Sequence, residues 1–191
     1  IVDLSHGHQP MSNADESMWI AFNGEIYNHL EVRREMEGRG YAYRTNCDTE
    51  SIIYCMDAHG WAGLHKLRGM FAFAIHDKRI DKVLIARDRL GVKPLYYIDT
   101  PELFAFASEI KSLLQIPQVK RSVDYKALMQ ILALKYTSDD STLFAGIKKL
   151  EPGHYLEYDR GTISIVRYWD CAHITVDNSS TETDAVKQIR Q

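Results

Sequence analysis

Short apolar runs separated by polar, Gly- and Pro-bearing stretches recur along the chain, and their spacing alternates between strand-like and helix-like. Residues 6–17 are polar and contain Pro10 and Asn13, which predicts a loop. Met18 to Phe22 is an apolar run of strand length. Asn28 follows as a helix cap with Glu31 at the capping-box position, and Gly38 and Gly40 end that helix near Arg39. A second helix opens at Asp48, carries Ile52, Ile53, Cys55 and Met56 as its apolar face, and closes at Gly60. The dense run Gly69 to Ile75, a polar turn from Asp77 to Asp81, and Lys82 to Ala86 predict a hairpin. Leu95 to Ile98 and Leu103 to Ala107 form a second pair around Asp99-Thr100-Pro101-Glu102. Ser108 is read as the cap of a short helix to Leu114. Asp124 is read as the cap of another, with Leu128, Ile131, Leu132 and Leu134 on its face. A last hairpin joins His154 to Tyr158 and Thr162 to Tyr168 through Asp159-Arg160-Gly161. Hairpins with intervening helices predict an α+β fold. After Trp169-Asp170 the pattern weakens: Asp177 to Thr181 reads as a polar linker, and Glu182 to Gln191 as the start of a helix.

Composition narrows the function. A chain of 191 residues with 45% hydrophobic residues can bury a substantial core as one large domain. The net charge of −3 and the scatter of basic residues argue against a nucleic-acid partner. The densest basic stretch, Arg87 to Lys93, is interrupted by Asp88 and reads as a charge-paired loop between strands. No run approaches the ~20 apolar residues of a membrane span. No secretory pattern occurs at residue 1. Cys47, Cys55 and Cys171 are odd in number and lack CxxC spacing, which suits free thiols in a reducing compartment and hence the cytoplasm. Cys55 fits a core position. His6 and His8 flank Gly7 with no third ligand nearby, so no metal site is expected.

Candidate chemistry concentrates in Phe22-Asn23-Gly24-Glu25-Ile26-Tyr27-Asn28 and Cys47-Asp48-Thr49-Glu50. A side-chain amide beside a glycine N–H is what a developing oxyanion needs: two donors converge, and no Cβ blocks the reacting carbonyl. A carboxylate at Asp48 could hold a substrate ammonium. Together they suggest a pocket for a small zwitterion with a reactive carbonyl. Taken singly, Asn-Gly is also a hairpin turn and Asp48 a helix cap.

Further words follow in order: Leu67-Arg68-Gly69-Met70-Phe71-Ala72-Phe73-Ala74, then Ala86 to Tyr97 (ARDRLGVKPLYY), then Phe106-Ala107-Ser108-Glu109-Ile110-Lys111. Across roughly residues 1–170 this series resembles the glutaminase domain of glutamine-hydrolysing asparagine synthetases, a class II (N-terminal nucleophile) glutamine amidotransferase. The resemblance implies a four-layer α-β-β-α sandwich with two antiparallel sheets. It also implies a terminal cysteine that attacks the glutamine side-chain amide, with its own α-amino group as base. This sequence begins Ile1-Val2-Asp3-Leu4-Ser5. The segment bearing that cysteine, the sandwich's first strands and an arginine for the α-carboxylate are expected upstream of Ile1, so residues 1–191 alone are expected to be inactive.

Carried over by motif, Asn23 and Gly24 form the oxyanion hole. Gly24 and Asp48 hold the α-amino group, and Glu25 with the backbone of Ile1 and Val2 completes glutamine binding. Cys47 stands where the family usually has a small hydroxyl residue. Residues 171–191 are expected to link to a synthetase domain that uses ATP and Mg2+, whereas the glutaminase domain itself needs no cofactor. Expected partners are L-glutamine and that synthetase domain, with homodimerisation open. The alternatives are a non-catalytic glutamine-binding or partner-docking module, and a relative with another acceptor substrate.

Overall fold

The computed structural model describes residues 7–174 and 181–189. Its centre is a long hairpin-like pair. Strand β2, Met18–Ile26, pairs antiparallel along its whole length with β3, Gly69–Asp77, in the register Phe22 to Phe73 and Asn23 to Ala72. The short strand β1 (Met11–Ser12) flanks β2. On the other side follow β4 (Lys82–Arg87), β8 (His154–Asp159) and β9 (Thr162–Arg167), giving the order β1-β2-β3-β4-β8-β9. A second antiparallel sheet has the order β6-β5-β7, from β5 (Tyr96–Thr100), β6 (Leu103–Ala107) and β7 (Lys148–Lys149).

Side-chain alternation explains the layering. Ile20, Ile26, Phe71, Phe73 and Ile75 face outward and pack under helices α1 (His29–Gly38) and α2 (Asp48–His59). Ala72, Ala74, Ile85 and Leu156 face inward, against Leu95, Tyr97 and Leu150. In β5 Tyr97 joins that inter-sheet layer, while Tyr96 and Ile98 turn to the other side and meet Leu113 of α3 (Ile110–Leu113). The described residues thus stack as helix, sheet, sheet, helix, the architecture expected from the motif resemblance. Two further helices are α4 (Tyr125–Leu134) and α5 (Glu182–Ile189). No helix among the described residues is long and apolar enough to cross a membrane.

Several local expectations change. The strand predicted over Met18 to Phe22 continues through Asn23-Gly24 to Ile26, because β3 offers a full-length partner. Asn28 stands at the N-cap of α1, but its side chain makes no cap bond. It bridges instead to the chain entering β3, donating to the Lys66 carbonyl and accepting from the Arg68 N–H, both at 2.9 Å. Glu31 correspondingly pairs with Arg68 rather than closing a capping box. Asp124 does cap α4, accepting from the Ala127 N–H at 3.0 Å. The apolar face expected on α4 is mostly unburied: only Ala127 is fully buried, while Leu132 and Leu134 are exposed.

The Arg87–Lys93 loop is not charge-paired. Asp88 is buried, and its two oxygens accept backbone N–H groups from Phe71, Leu90, Val92 and Lys93. Arg87 donates to the carbonyls of Gly91, Lys93 and Leu150. Both charges hold the turn by backbone contacts, which fastens the six-stranded sheet to the start of the three-stranded one. Of the expected linker, residues 177–180 lie outside the described residues.

Candidate functional site

Asn23 lies inside β2, opposite Ala72, so the Asn-Gly pair is not a turn. The next residue must be glycine. At Gly24 (φ +152°) a Cβ would fall 2.1 Å from the Met70 carbonyl oxygen and 2.8 Å from the Phe71 Cα, so any side chain would push β3 away. The Asn23 side chain reaches toward the second sheet, where Nδ2 donates to Ser108 Oγ at 3.4 Å. That bond is long and therefore weak. It places the amide without saturating it. Ser108 was read from sequence as a helix cap, but Glu109 occupies the N-cap of α3, and the serine hydroxyl faces Asn23 instead.

Beside the amide lies a cavity of about 250 Å³ between the two sheets. Ala21, Ala72 and Ala74 line one side, Leu95, Phe106 and Ser108 the other, with Asn23 among them. The space exists because three inward positions on the central strands are alanines. The sequence carries that signal as small residues at alternate positions, Ala72 and Ala74.

Asp48 is the first residue of α2, with Cys47 at the N-cap. The carboxylate does not cap the helix. Its Oδ2 accepts the Ile26 N–H at 2.9 Å, which ties the start of α2 to β2 two residues beyond Gly24. The other oxygen takes no hydrogen bond from a described residue, and the side chain is almost wholly buried. The structure therefore brings Asn23, Gly24, Glu25 and Asp48 to one end of β2, with glycine-enforced contact to β3 behind them. The Glu25 backbone pairs with Met70 in β3, while its side chain makes no hydrogen bond or ion pair with any described residue. Ile1 and Val2 lie outside the described residues.

Neither buried cysteine is placed as a nucleophile. Burial pushes the Cys55 thiol up to about 12, and it packs in the outer core. Cys47 is buried at the helix cap. No disulfide joins the three cysteines.

Another cavity, of about 260 Å³, opens on the helical side of the large sheet between Trp61, Met18, Met56 and Leu84. Its polar groups satisfy one another: Glu157 accepts from Trp61 Nε1 at 3.0 Å and from Lys82 at 2.7 Å. It offers apolar wall and no converging donors, unlike the Asn23 cavity.

The family model "Glutamine amidotransferase domain" matches residues 1–169. Asparagine synthetase [glutamine-hydrolyzing] 1 of Bacillus subtilis is 39% identical over 191 residues, covering 100% of this chain and 30% of the relative. Asparagine synthetase [glutamine-hydrolyzing] 3 of the same organism is 36% identical over 173 residues, covering 89% of this chain and 28% of the relative. The chain thus spans 30% or less of the length of these relatives. Among solved structures, the glutamine phosphoribosylpyrophosphate amidotransferase from B. subtilis complexed with ADP and GMP aligns with TM-score 0.59 at 19% identity. That alignment covers 84% of this chain and 32% of the other, a likeness of fold. With a family model spanning nearly all of the chain and the same sandwich fold, this chain belongs to the class II glutamine amidotransferase domain family.

Proposed function

We propose that the end of β2 binds L-glutamine and stabilises the transition state of its side-chain amide hydrolysis, in the glutaminase part of an asparagine synthetase. The observation that carries this is the clustering of Asn23, Gly24 and the buried Asp48 carboxylate on one strand end, in a domain of this family. In this reading the Asp48 oxygen that Ile26 leaves unoccupied accepts from the substrate α-ammonium. A buried, nearly dry carboxylate makes such a contact stronger than it would be in water.

The Asn23 amide and the Gly24 N–H donate to the oxyanion that forms when a thiolate adds to the glutamine side-chain carbonyl carbon. Loss of one such donor typically raises a barrier by about 3 kcal/mol. The proton given up by the thiol passes to the departing nitrogen, ammonia leaves, and water cleaves the thioester to glutamate. Ser108 holds the Asn23 amide while the substrate is absent. Glu25 and the backbone of Ile1 and Val2 contribute to glutamine recognition. ATP and Mg2+ belong to the ligase portion of the parent, which amidates an activated aspartate. In this reading the glutaminase step itself uses neither.

The test is Asp48→Asn in the parent polypeptide. The glutamine KM should rise steeply while ammonia-dependent asparagine synthesis stays within about twofold, since the contact is made only with glutamine. Equal loss of both activities would show that Asp48 acts only by fastening α2 to β2.

A further inference from the structure

Among the described residues, no carboxylate pairs with the Arg89 guanidinium. It sits at the edge of a pocket of about 350 Å³ between α1 and the segments leading into β3 and out of β4. Two other cations line that pocket, and each is already paired: Lys66 reaches both oxygens of Glu35 at 3.0 Å, and Arg68 bonds Glu31. Arg89 has no such partner among the described residues. Its side chain makes one hydrogen bond there, from Nη2 to the His65 carbonyl oxygen at 3.0 Å, and its Nε is buried without a partner. The neighbouring carboxylate, Asp88, is unavailable because its oxygens are taken by four backbone N–H groups.

Buried donors are almost always satisfied, and an orphan on a charged group is costlier than on a neutral one. Asp88 and the Arg87 contacts hold the loop that carries Arg89, which fixes where its side chain starts. A guanidinium fork is completed best by a planar or tetrahedral group offering two oxygens. The Lys66 and Arg68 pairs are substantially exposed, so each is weak and can share its cation with an arriving anion.

We propose that this pocket is an oxyanion-binding site in which Arg89 takes a carboxylate or phosphate group, assisted by Lys66 and Arg68. The site is separate from the Asn23 cavity, with which it shares no lining residue. It does not depend on the glutaminase reading. The same chemistry could arrive as a phosphorylated small molecule or as a carboxylate group.

The full-length protein that carries this chain, labelled with 15N at arginine, is titrated at constant ionic strength with inorganic phosphate and separately with malonate, following the arginine Nε–H resonances. The expected result is a saturable shift of the Arg89 Nε–H with at least one of the two anions, and weakening of about tenfold or more in Arg89→Gln, where the fork is lost. Phosphate alone would assign the site to phosphorylated ligands, and malonate alone to carboxylates. Arg121→Gln, an exposed control on another surface, should bind like the parent. Where Arg89→Gln does not fold, Arg89→Lys replaces it and should bind more weakly without losing charge. A linear, unsaturating response to both anions, or equal affinity in the Arg89 variant and the parent, would overturn the proposal.

Discussion

Helices α2 and α4 are close in length, and their positions in the molecule are opposite to what their compositions suggest. α2 opens with Asp48-Thr49-Glu50-Ser51, and all four residues are buried, as are the five that follow. α4 reads YKALMQILAL, far more apolar, yet Tyr125 is 77% exposed, Met129 66% and Leu132 62%. The difference is in the surroundings. α2 is wedged between α1 and β2, and the side chains of Asp48, Glu50 and Ser51 each meet a fixed partner. Glu50 accepts from the Arg44 and Thr45 N–H groups at 2.8 Å and from the Thr45 hydroxyl at 2.7 Å. Ser51 donates to the His29 carbonyl, and Asp48 accepts from Ile26. α4 is fastened by its cap and by Ala127, and its stripe Tyr125, Met129 and Leu132 stands clear. Burial follows from available partners, not from the hydrophobicity of the element.

The sharpest way to break this comparison is Glu50→Ala. Three donors lose their acceptor at a site only 1% exposed, so stability should fall by about 3–5 kcal/mol in urea unfolding. A loss under about 1 kcal/mol would mean that the polar opening of α2 is tolerated rather than required. Next comes a matched pair of truncations. Ile53→Ala in α2 should cost about 2–4 kcal/mol, and Leu132→Ala in α4 less than about 0.5. Similar costs for the two would show that the α4 stripe is covered in solution. Asp124→Ala should lower stability by about 1 kcal/mol, the usual value of one N-cap, because the cap is among the few ties α4 has.

The smallest effect is on the alkaline side. Burial raises the Cys55 thiol from 9.0 to about 12 and the Tyr43 phenol from 10.0 to about 12. A folded-state pKa above the unfolded one stabilises the protein while pH is below the unfolded value. That contribution is lost as pH rises from about 9 toward 12. The melting temperature should therefore decline above pH 9, and Cys55→Ser should remove part of the slope. In the folded protein at pH 8 a thiol reagent should modify the exposed Cys171 long before Cys55. Rapid reaction at Cys55 would place α2 in a looser setting than its burial implies.

Much of this architecture was legible from periodicity. The hairpin of β3 and β4, the pair β5 and β6, the pair β8 and β9, and α1, α2 and α4 all fall where apolar runs and caps place them, within a few residues. Errors occurred where a long-range partner overrode a local signal. Asn23-Gly24 looked like a strand end, but β3 pairs straight past it, and only a glycine permits the 2.1 Å approach that a Cβ would have to Met70. Asn28 and Ser108 had the residue type and position of caps. The first instead clips the approach to β3 and the second meets Asn23, since both sit where another segment offers a nearer partner.

The candidate site divides in the same way. Asn23, Gly24, Glu25 and Asp48 were identifiable because motif order and residue chemistry are one-dimensional. That Asp48 ties α2 to β2, that alanines open a cavity beside Asn23, and that Arg89 has no counter-ion among the described residues depend on segments far apart in sequence. The amino-acid sequence by itself determined the α+β class, most element boundaries and the amidotransferase family, because these depend on local pattern. Only the tertiary structure decided which polar groups are satisfied, which apolar face is covered and where empty space lies. Those depend on what distant segments bring to within about 4 Å, a distance at which hydrogen bonds and packing energies act and which no local pattern encodes.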